Sequence, residues 1–149
     1  MIRVTPGDPR HPEAVRLLQA SHALMQSSFP AESNHYLSID DLCKSDIRFF
    51  HGLVGGTVLG TGAIKLFADY AEVKSMFTAE AARGQGLAGA ILGALTDAAR
   101  AEGKSWVRLE TGNILYAAQR LYARHGFVER GPFGDYPNDP NSLFMEKAL

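Results

Sequence analysis

Apolar and polar residues follow two different periods along the chain, and these periods predict both helices and strands. Apolar side chains at helical spacing predict helices over 11–25, 87–102 and 114–125, and Ser38 is placed to cap a short helix over 38–42. Runs rich in β-branched and aromatic residues predict strands over 2–5, 47–54, 57–66, 70–77, 105–110, 127–129 and 143–147. The resulting order, β-α-α-β-β-β-α-β-α-β-β, indicates an α/β fold of the α+β type.

Glycine residues mark the ends of several of these elements. Gly55 and Gly56 separate the second and third strands, and such a pair is typical of a hairpin. Gly103 and Gly126 directly follow predicted helices, where a left-handed residue commonly ends the helix. No repeat or linker divides the 149 residues, so we expect 1–149 to form a single domain.

Composition and charge exclude several classes of protein. With 46% hydrophobic residues and a net charge of −1, the chain lacks the basic excess of proteins that bind nucleic acid or membranes through bulk electrostatics. One cysteine, Cys43, excludes an internal disulfide, and the five histidines lack metal-ligand spacing, so we expect no metal. The first residues lack the pattern of a secretory signal and no apolar run is long enough for a membrane span, which predicts a cytoplasmic protein.

The segment 76–89, MFTAEAARGQGLAG, carries the clearest chemical signal. It runs from the end of a strand through a turn to the start of a long helix. The free N–H groups and the positive dipole end of a helix start attract phosphate, and Gly84 and Gly86 let the backbone approach it without a Cβ in the way. Arg83 adds a positive charge beside them. The segment therefore predicts a phosphate-binding loop.

Two other interpretations of this loop remain open. Residues 84–89 spell GxGxxG, and Glu110 follows at a spacing that suits a dinucleotide fold. However, residues 78–83 separate the strand from the first glycine, and the chain after Glu110 is too short for a second half of a doubly wound sheet. The third interpretation is a glycine-rich helix start that binds no ligand.

The same residues resemble the GNAT N-acetyltransferases. RGQGLA over 83–88 matches the R/Q-x-x-G-x-G/A signature of that family, and LYARHGF over 121–127 matches its LY-x-x-x-GF segment. EVKSMF over 72–77 is similar to the fourth strand of the family fold, and LETG over 109–112 to the fifth. The tail 132–149 and the early segment 22–35 resemble a narrower bacterial group, the YsnE-like acetyltransferases.

The resemblance implies a fold and a cosubstrate. The fold is a mixed, mostly antiparallel sheet of about seven strands flanked by about four helices, with strands 4 and 5 splayed apart. The cosubstrate is acetyl-CoA, with no metal. By position in the family motifs, the end of strand 4 pairs with the pantetheine arm and the glycine loop holds the pyrophosphate, which implies the cofactor-binding residues Met76, Phe77, Thr78, Arg83, Gly84, Gln85, Gly86, Leu87, Ala88 and Gly89.

The resemblance also implies catalytic residues. A tyrosine in the LY segment, here Tyr122, protonates the departing thiolate, and a glutamate acts as base, here Glu72 or Glu110. A base is needed because an amine with a pKa near 10.4 is mostly protonated at neutral pH and cannot attack a thioester in that form. One position departs from the family, since Leu115 stands where many members carry an asparagine. The alternative is that both glutamates pair with neighbouring cations and that Tyr122 is a core residue.

The acceptor is expected to be the amine of a small molecule or peptide. His35 in the early polar loop, and Asp135 and Tyr136 in the tail loop, are candidate substrate-binding residues, although turns use the same residue types. A homodimer is a further expectation for the β-rich tail. A different function class on the same fold is a non-catalytic module that binds acyl-CoA or has a regulatory role.

Overall fold

The computed structural model describes all 149 residues, and its elements follow the predicted order. The strands are β1 (Ile2–Pro6), β2 (Ile47–Val54), β3 (Thr57–Leu66), β4 (Tyr70–Thr78), β5 (Trp106–Gly112), β6 (Val128–Arg130) and β7 (Ser142–Ala148). The helices are α1 (Pro12–Ser28), α2 (Ile39–Leu42), α3 (Leu87–Ala101) and α4 (Tyr116–Arg124), with single 3₁₀ turns at Ala31–Ser33 and Glu80–Ala82. The predicted fold class of seven strands and four helices is confirmed.

Helix α1 ends later than its apolar pattern predicts. It continues to Ser28, and Phe29 then takes an extended conformation with φ −140° and ψ 151°. Phe29 precedes Pro30, and a residue before proline is disfavoured in helical conformation, so the helix ends here. Phe29, which directly follows the longer helix, lines the cavity described below.

The seven strands form one sheet in the order β1-β2-β3-β4-β5-β7-β6. All neighbouring strands are antiparallel except β4 and β5, which are parallel. β4 and β5 pair at only three positions, Tyr70–Trp106, Ala71–Val107 and Glu72–Arg108. Both strands continue well beyond the last of these pairs. The strands therefore separate, which confirms the predicted splay.

A β-bulge in β4 lies at the start of this separation. The register between β3 and β4 shifts between Thr61 and Ala63, where Ser75 and Met76 together oppose Gly62. Ser75 has a φ of 55°, and it is the only non-glycine residue with positive φ in the chain. Thr61 Oγ1 donates a hydrogen bond of 2.8 Å to the Ser75 carbonyl oxygen, which supports this backbone conformation. A bulge bends its strand, so β4 turns away from β5.

Helices cover both faces of the sheet. Neighbouring residues Ala63 and Ile64 on β3 belong to two different buried clusters, and successive strand residues point to opposite faces. The larger cluster contains α3 through Ile91 and Leu95, and the smaller one contains α1 through Leu18. None of the helices has both the length and the apolar character required to cross a membrane.

Glycines on β2 and β3 allow α3 to lie unusually close to the sheet. A Cβ added at Gly52, Gly60 or Gly62 would lie 2.7, 2.8 or 2.4 Å from a side-chain carbon of Ile91. Such distances are shorter than carbon atoms tolerate, so any side chain here would push the helix outward. The distance between α3 and the sheet matters because the first turn of α3 follows the glycine loop.

We expect Gly62→Ala to lower the free energy of unfolding by about 1–3 kcal/mol because the added methyl group overpacks this contact. Gly93, within α3, has no atom within 4 Å of an added Cβ. Gly93→Ala is therefore the matched control, and its helix propensity should raise stability by up to about 1 kcal/mol. Urea unfolding of both variants measures the difference, and equal effects would contradict the close packing.

Candidate functional site

The separation of β4 and β5 opens a cavity of about 150 Å³. Met76 from β4 and Glu110 from β5 line it, with Leu115, which caps the start of α4, and Tyr122 from the last turn of α4. The loop that follows α1 closes the opposite side and contributes His35. The cavity thus collects side chains that are far apart in the sequence, including two of the three predicted catalytic residues.

Tyr122 is buried and lines the cavity. Its ring packs on Phe127, with the ring centroids 5.8 Å apart. Burial raises the pKa of Tyr122 to about 12, and the negative charge of Glu110 contributes to the same shift. The hydroxyl therefore keeps its proton at neutral pH and can serve as a hydrogen-bond donor.

Glu110 presents a carboxylate to the same cavity. The Ser142 hydroxyl donates a hydrogen bond of 2.8 Å to Glu110 Oε2. Burial raises the pKa of Glu110, and the Ser142 hydrogen bond and the charges of His35 and Lys74 oppose that shift without cancelling it. Since one oxygen is bonded and the pKa is raised, the second oxygen is suited to accept a proton.

Glu72 lies on the neighbouring strand in a different environment. Its side chain is almost fully buried, and Glu72 Oε2 lies 3.1 Å from Lys74 Nζ. The Tyr136 hydroxyl also donates a hydrogen bond to Glu72 Oε2. Burial and the charge of Glu72 raise the pKa of Tyr136, so the phenol remains protonated. Glu72 does not line the cavity, and its carboxylate is paired with groups of the chain itself.

The three candidate acceptor residues lie in different places. His35 lines the cavity, and Tyr136 lies behind it with the two ring centroids 5.0 Å apart. Asp135 is exposed and does not line the cavity.

The cavity also contains Asn34 and Ser75, which sequence reasoning did not single out. The polar character of the loop around Asn34 was visible in the sequence, whereas nothing marked Ser75.

The glycine loop has the geometry that a phosphate group requires. Gly84 and Gly86 have φ values of 78° and 88°, a region that glycine adopts readily. No atom of the chain lies within 4 Å of an added Cβ at either residue, so the space beside the backbone is open. Gly86 caps α3 without any side-chain hydrogen bond, and the N–H groups of the first turn remain available. The residues therefore fit a pyrophosphate.

The end of β4 offers backbone groups to the gap between the strands. The Ala79 N–H donates a hydrogen bond of 2.8 Å to the Leu59 carbonyl oxygen on β3. Backbone groups alternate in direction along a strand, so Phe77, directly opposite Thr61, points its N–H to β3 as well. The N–H and carbonyl of Thr78 then face the open side toward β5. Thr78 is thus the better placed of these residues to pair with an extended ligand.

Arg83 and Gln85 contact the turn that precedes the glycine loop. Arg83 Nε lies 3.3 Å from the Thr78 carbonyl oxygen, and Gln85 Nε2 donates a hydrogen bond of 3.0 Å to the Ala81 carbonyl oxygen. Both side chains are exposed at the entrance of the loop. No group of three histidine, cysteine, aspartate or glutamate residues is arranged to hold a metal ion.

Comparison with known proteins agrees with this geometry. The model of the acetyltransferase (GNAT) family matches residues 15–127. The chain is 43% identical to the IAA acetyltransferase of Azospirillum brasilense, covering 99% of this chain and 98% of that protein. It is 37% identical to the uncharacterized N-acetyltransferase YsnE of Bacillus subtilis, covering 80% of this chain and 82% of that protein. The resemblance to the YsnE-like group is confirmed.

Solved structures have the same fold. A protein from Klebsiella pneumoniae, proposed to be an acyl-CoA N-acyltransferase, superposes with a TM-score of 0.84 at 32% identity, covering 100% of this chain and 98% of that one. Other structures of this fold hold acetyl-CoA or CoA. The chain belongs to the GNAT family and is an acetyltransferase with acetyl-CoA as its cosubstrate.

Proposed function

We propose that the chain transfers the acetyl group of acetyl-CoA to the amine of a small molecule or peptide by direct attack. The observation that carries this proposal is that Glu110 and Tyr122 line one cavity at the splay of β4 and β5. A carboxylate and a protonated phenol are the two groups that amine attack and thiol release require. The amine nitrogen forms the new bond to the acetyl carbon, and the carbon–sulfur bond breaks.

Glu110 is the proposed base. Of the two candidate glutamates it alone lines the cavity, and Glu72 is paired with Lys74 and Tyr136. The raised pKa of Glu110 makes it a stronger base than an exposed carboxylate. With Oε2 bonded to Ser142, Oε1 takes the proton of the amine directly or through one water.

Tyr122 is the proposed donor to the departing sulfur. Its pKa of about 12 lies above that of an ordinary thiol, near 8.5, so complete proton transfer from the resting phenol is uphill. The charge of Glu110 is one cause of this high pKa. When Glu110 takes the proton of the amine, that charge disappears and Tyr122 becomes a stronger acid. Proton uptake by the base thereby favours donation by the phenol at the moment the sulfur leaves.

The remaining residues bind the cosubstrate and position it. The backbone amides of 84–89 hold the pyrophosphate at the start of α3, and Arg83 adds charge at the entrance. The backbone of Thr78 pairs with the extended arm in the gap between the strands. This arrangement brings the thioester to the cavity that Glu110 and Tyr122 line.

The test of this function is an assay of thiol release from acetyl-CoA across a panel of amines, with mass spectrometry of the acetylated product. IAA, the compound in the name of the Azospirillum relative, is assayed separately beside the amines. Thiol release that depends on an amine supports the proposal. Tight CoA binding without release for any acceptor would instead indicate the acyl-CoA-binding module.

We expect Gly86→Ala to weaken CoA binding by roughly tenfold or more, because its Cβ occupies the open side of the loop and a charge-assisted hydrogen bond is lost. Gly56→Ala is the matched control, since Gly56 has a φ of 85° and the same open space but lies in the β2–β3 hairpin. Calorimetry measures the affinity of both folded variants. Unchanged affinity in Gly86→Ala would contradict the phosphate loop.

We expect Glu110→Gln to lower kcat by about 10²–10⁴-fold and to remove the acidic limb of its pH profile, because only the carboxylate accepts a proton. That limb in the unsubstituted enzyme should lie above the ordinary carboxyl range because burial raises the pKa of Glu110. Glu72→Gln should retain the limb. A limb that persists in Glu110→Gln and is lost in Glu72→Gln would reverse the assignment.

Thermal unfolding of the same variant provides a readout that is independent of activity. A raised pKa in the folded protein means that Glu110 contributes stability below its unfolded pKa, and that this contribution is lost as pH rises through the folded pKa. Relative to the unsubstituted protein, Glu110→Gln should therefore be more stable at pH 7 than at pH 4. An unchanged difference across this range would mean that the carboxylate is not desolvated.

We expect Tyr122→Phe to lower kcat by roughly 10²–10⁴-fold while the affinity for acetyl-CoA stays nearly constant, because the ring is kept and only the hydroxyl is removed. Tyr116→Phe is the matched control, since Tyr116 lies on the same helix with an exposed side chain and outside the cavity. Steady-state kinetics and calorimetry separate the two parameters. Full activity in Tyr122→Phe would exclude the hydroxyl as donor.

A further inference from the structure

Three polar atoms in the wall of the cavity lack partners. Asn34 Oδ1, His35 Nε2 and Ser75 Oγ are buried and form no hydrogen bond within the chain. All three residues line the cavity that holds Glu110 and Tyr122. Buried polar atoms in folded proteins are nearly always paired, with the protein or with a bound molecule. A cluster of three without a partner in the chain therefore marks this wall as the place where the polar groups of a bound acceptor, or the water that it displaces, form hydrogen bonds.

The hydrogen-bonding capacity of these atoms restricts the chemical groups that a ligand can present to them. Asn34 Nδ2 lies 3.5 Å from the Phe29 carbonyl oxygen, so Asn34 Oδ1 is the atom left for the cavity, and a carbonyl oxygen only accepts. Ser75 Oγ can donate or accept, and so can His35 Nε2, depending on the tautomer. The wall thus suits a group that both donates and accepts, such as an amide or a hydroxyl.

The charges around the cavity indicate whether the ligand can also carry a carboxylate. Lys74 is the cation in the lining. Its charge is paired with Glu72 Oε2 at 3.1 Å, and it donates hydrogen bonds to the Tyr136 hydroxyl at 2.7 Å and to the His35 carbonyl oxygen at 3.3 Å. The charge of Lys74 is therefore already balanced by a carboxylate of the chain and is not available to balance that of a ligand carboxylate. Glu110, in contrast, has no cation within ion-pair distance, and its negative charge would repel the carboxylate of a ligand.

The polar wall is held in place by the tail loop. The Ser33 hydroxyl donates a hydrogen bond to Asp139 Oδ2, and Asn141 Nδ2 donates one of 3.2 Å to Ser33 Oγ. Lys74 fixes the next turn through the His35 carbonyl oxygen. Asn34 and His35 lie between these two anchors, so their polar atoms are positioned before a ligand arrives.

We propose, resting on the proposed acetyl transfer, that the acceptor is a small amine with a neighbouring uncharged amide or hydroxyl and without a free carboxylate. The amine lies at Glu110, and the uncharged group pairs with Asn34, His35 and Ser75. The volume of the cavity agrees with a small acceptor. A cavity of about 150 Å³ holds on the order of ten waters, and it must also contain the thioester end of the cosubstrate.

The test compares four acceptors with three-carbon skeletons: alaninamide, alaninol, propylamine and alanine. Rates of thiol release at pH 8 are divided by the fraction of neutral amine, because the four amines differ in basicity. We expect kcat/KM for alaninamide and alaninol to exceed that for alanine by roughly tenfold or more, with propylamine between them. A preference for alanine would overturn the proposal, and no release with any amine would overturn the acetyl transfer on which it rests.

Asn34→Ala tests the recognition itself. The variant should lose roughly tenfold in kcat/KM for alaninamide and alaninol, mainly through KM, and should lose clearly less for propylamine, which has no group to pair with Asn34. Asn138→Ala in the exposed part of the tail loop is the matched control, and its rates should equal those of the unsubstituted enzyme. An equal loss for propylamine in Asn34→Ala would mean that the amide maintains the loop and does not bind the acceptor.

His35→Asn tests whether a protonated His35 binds the carboxylate of an acceptor. If alanine were the preferred acceptor and this variant abolished the preference, the imidazolium would be binding a carboxylate, which overturns the proposal. Retention of the order alaninamide and alaninol above alanine in this variant, at lower kcat/KM for the first two, supports it.

Discussion

The β-bulge at Ser75 and Met76 is the constraint on which the site depends. A parallel pair of strands normally forms an evenly spaced ladder of hydrogen bonds. The ladder between β4 and β5 ends at Glu72, because the bulge bends the rest of β4 away from β5. The positive φ of Ser75 costs about 1–2 kcal/mol, and the hydrogen bond from Thr61 Oγ1 offsets part of that cost. Without the bulge, the continued ladder would fill the gap with backbone hydrogen bonds and no cavity would form.

The splay also separates the two glutamates into different roles. Glu72 lies on the last paired step of β4, where Lys74 and the tail loop cover it, whereas Glu110 lies beyond the last paired step of β5 and faces the gap. A buried ion pair such as Glu72–Lys74 leaves neither charge available to a ligand. Both residues are glutamates on adjacent strands, and a difference of two strand positions relative to the fork decides which one faces the cavity.

Most of the fold follows from local patterns in the sequence, and the site follows only in part. The strands 47–54 and 57–66 were predicted with their observed ends because Gly55 and Gly56 mark the hairpin between them. Residues 84–89 carried a local signal because glycine suits the positive φ that the loop adopts. Ser75 carried none, since serine at positive φ is favoured only by the tertiary contact with Thr61. The environment of Glu72 depends on Tyr136, 64 residues away, which no local pattern reveals.

The tail loop connects these features because it acts at both sides of the cavity. Tyr136 seals the Glu72–Lys74 pair from behind, and Asp139 and Asn141 hold the polar wall through Ser33. Ser142, which begins β7, donates a hydrogen bond to Glu110 Oε2 and leaves Oε1 free for the cavity. One segment thus covers the first carboxylate, holds the second and supports the polar wall. A change in this loop should therefore alter the polar wall and the environment of both carboxylates together, whereas the glycine loop takes part in none of these hydrogen bonds.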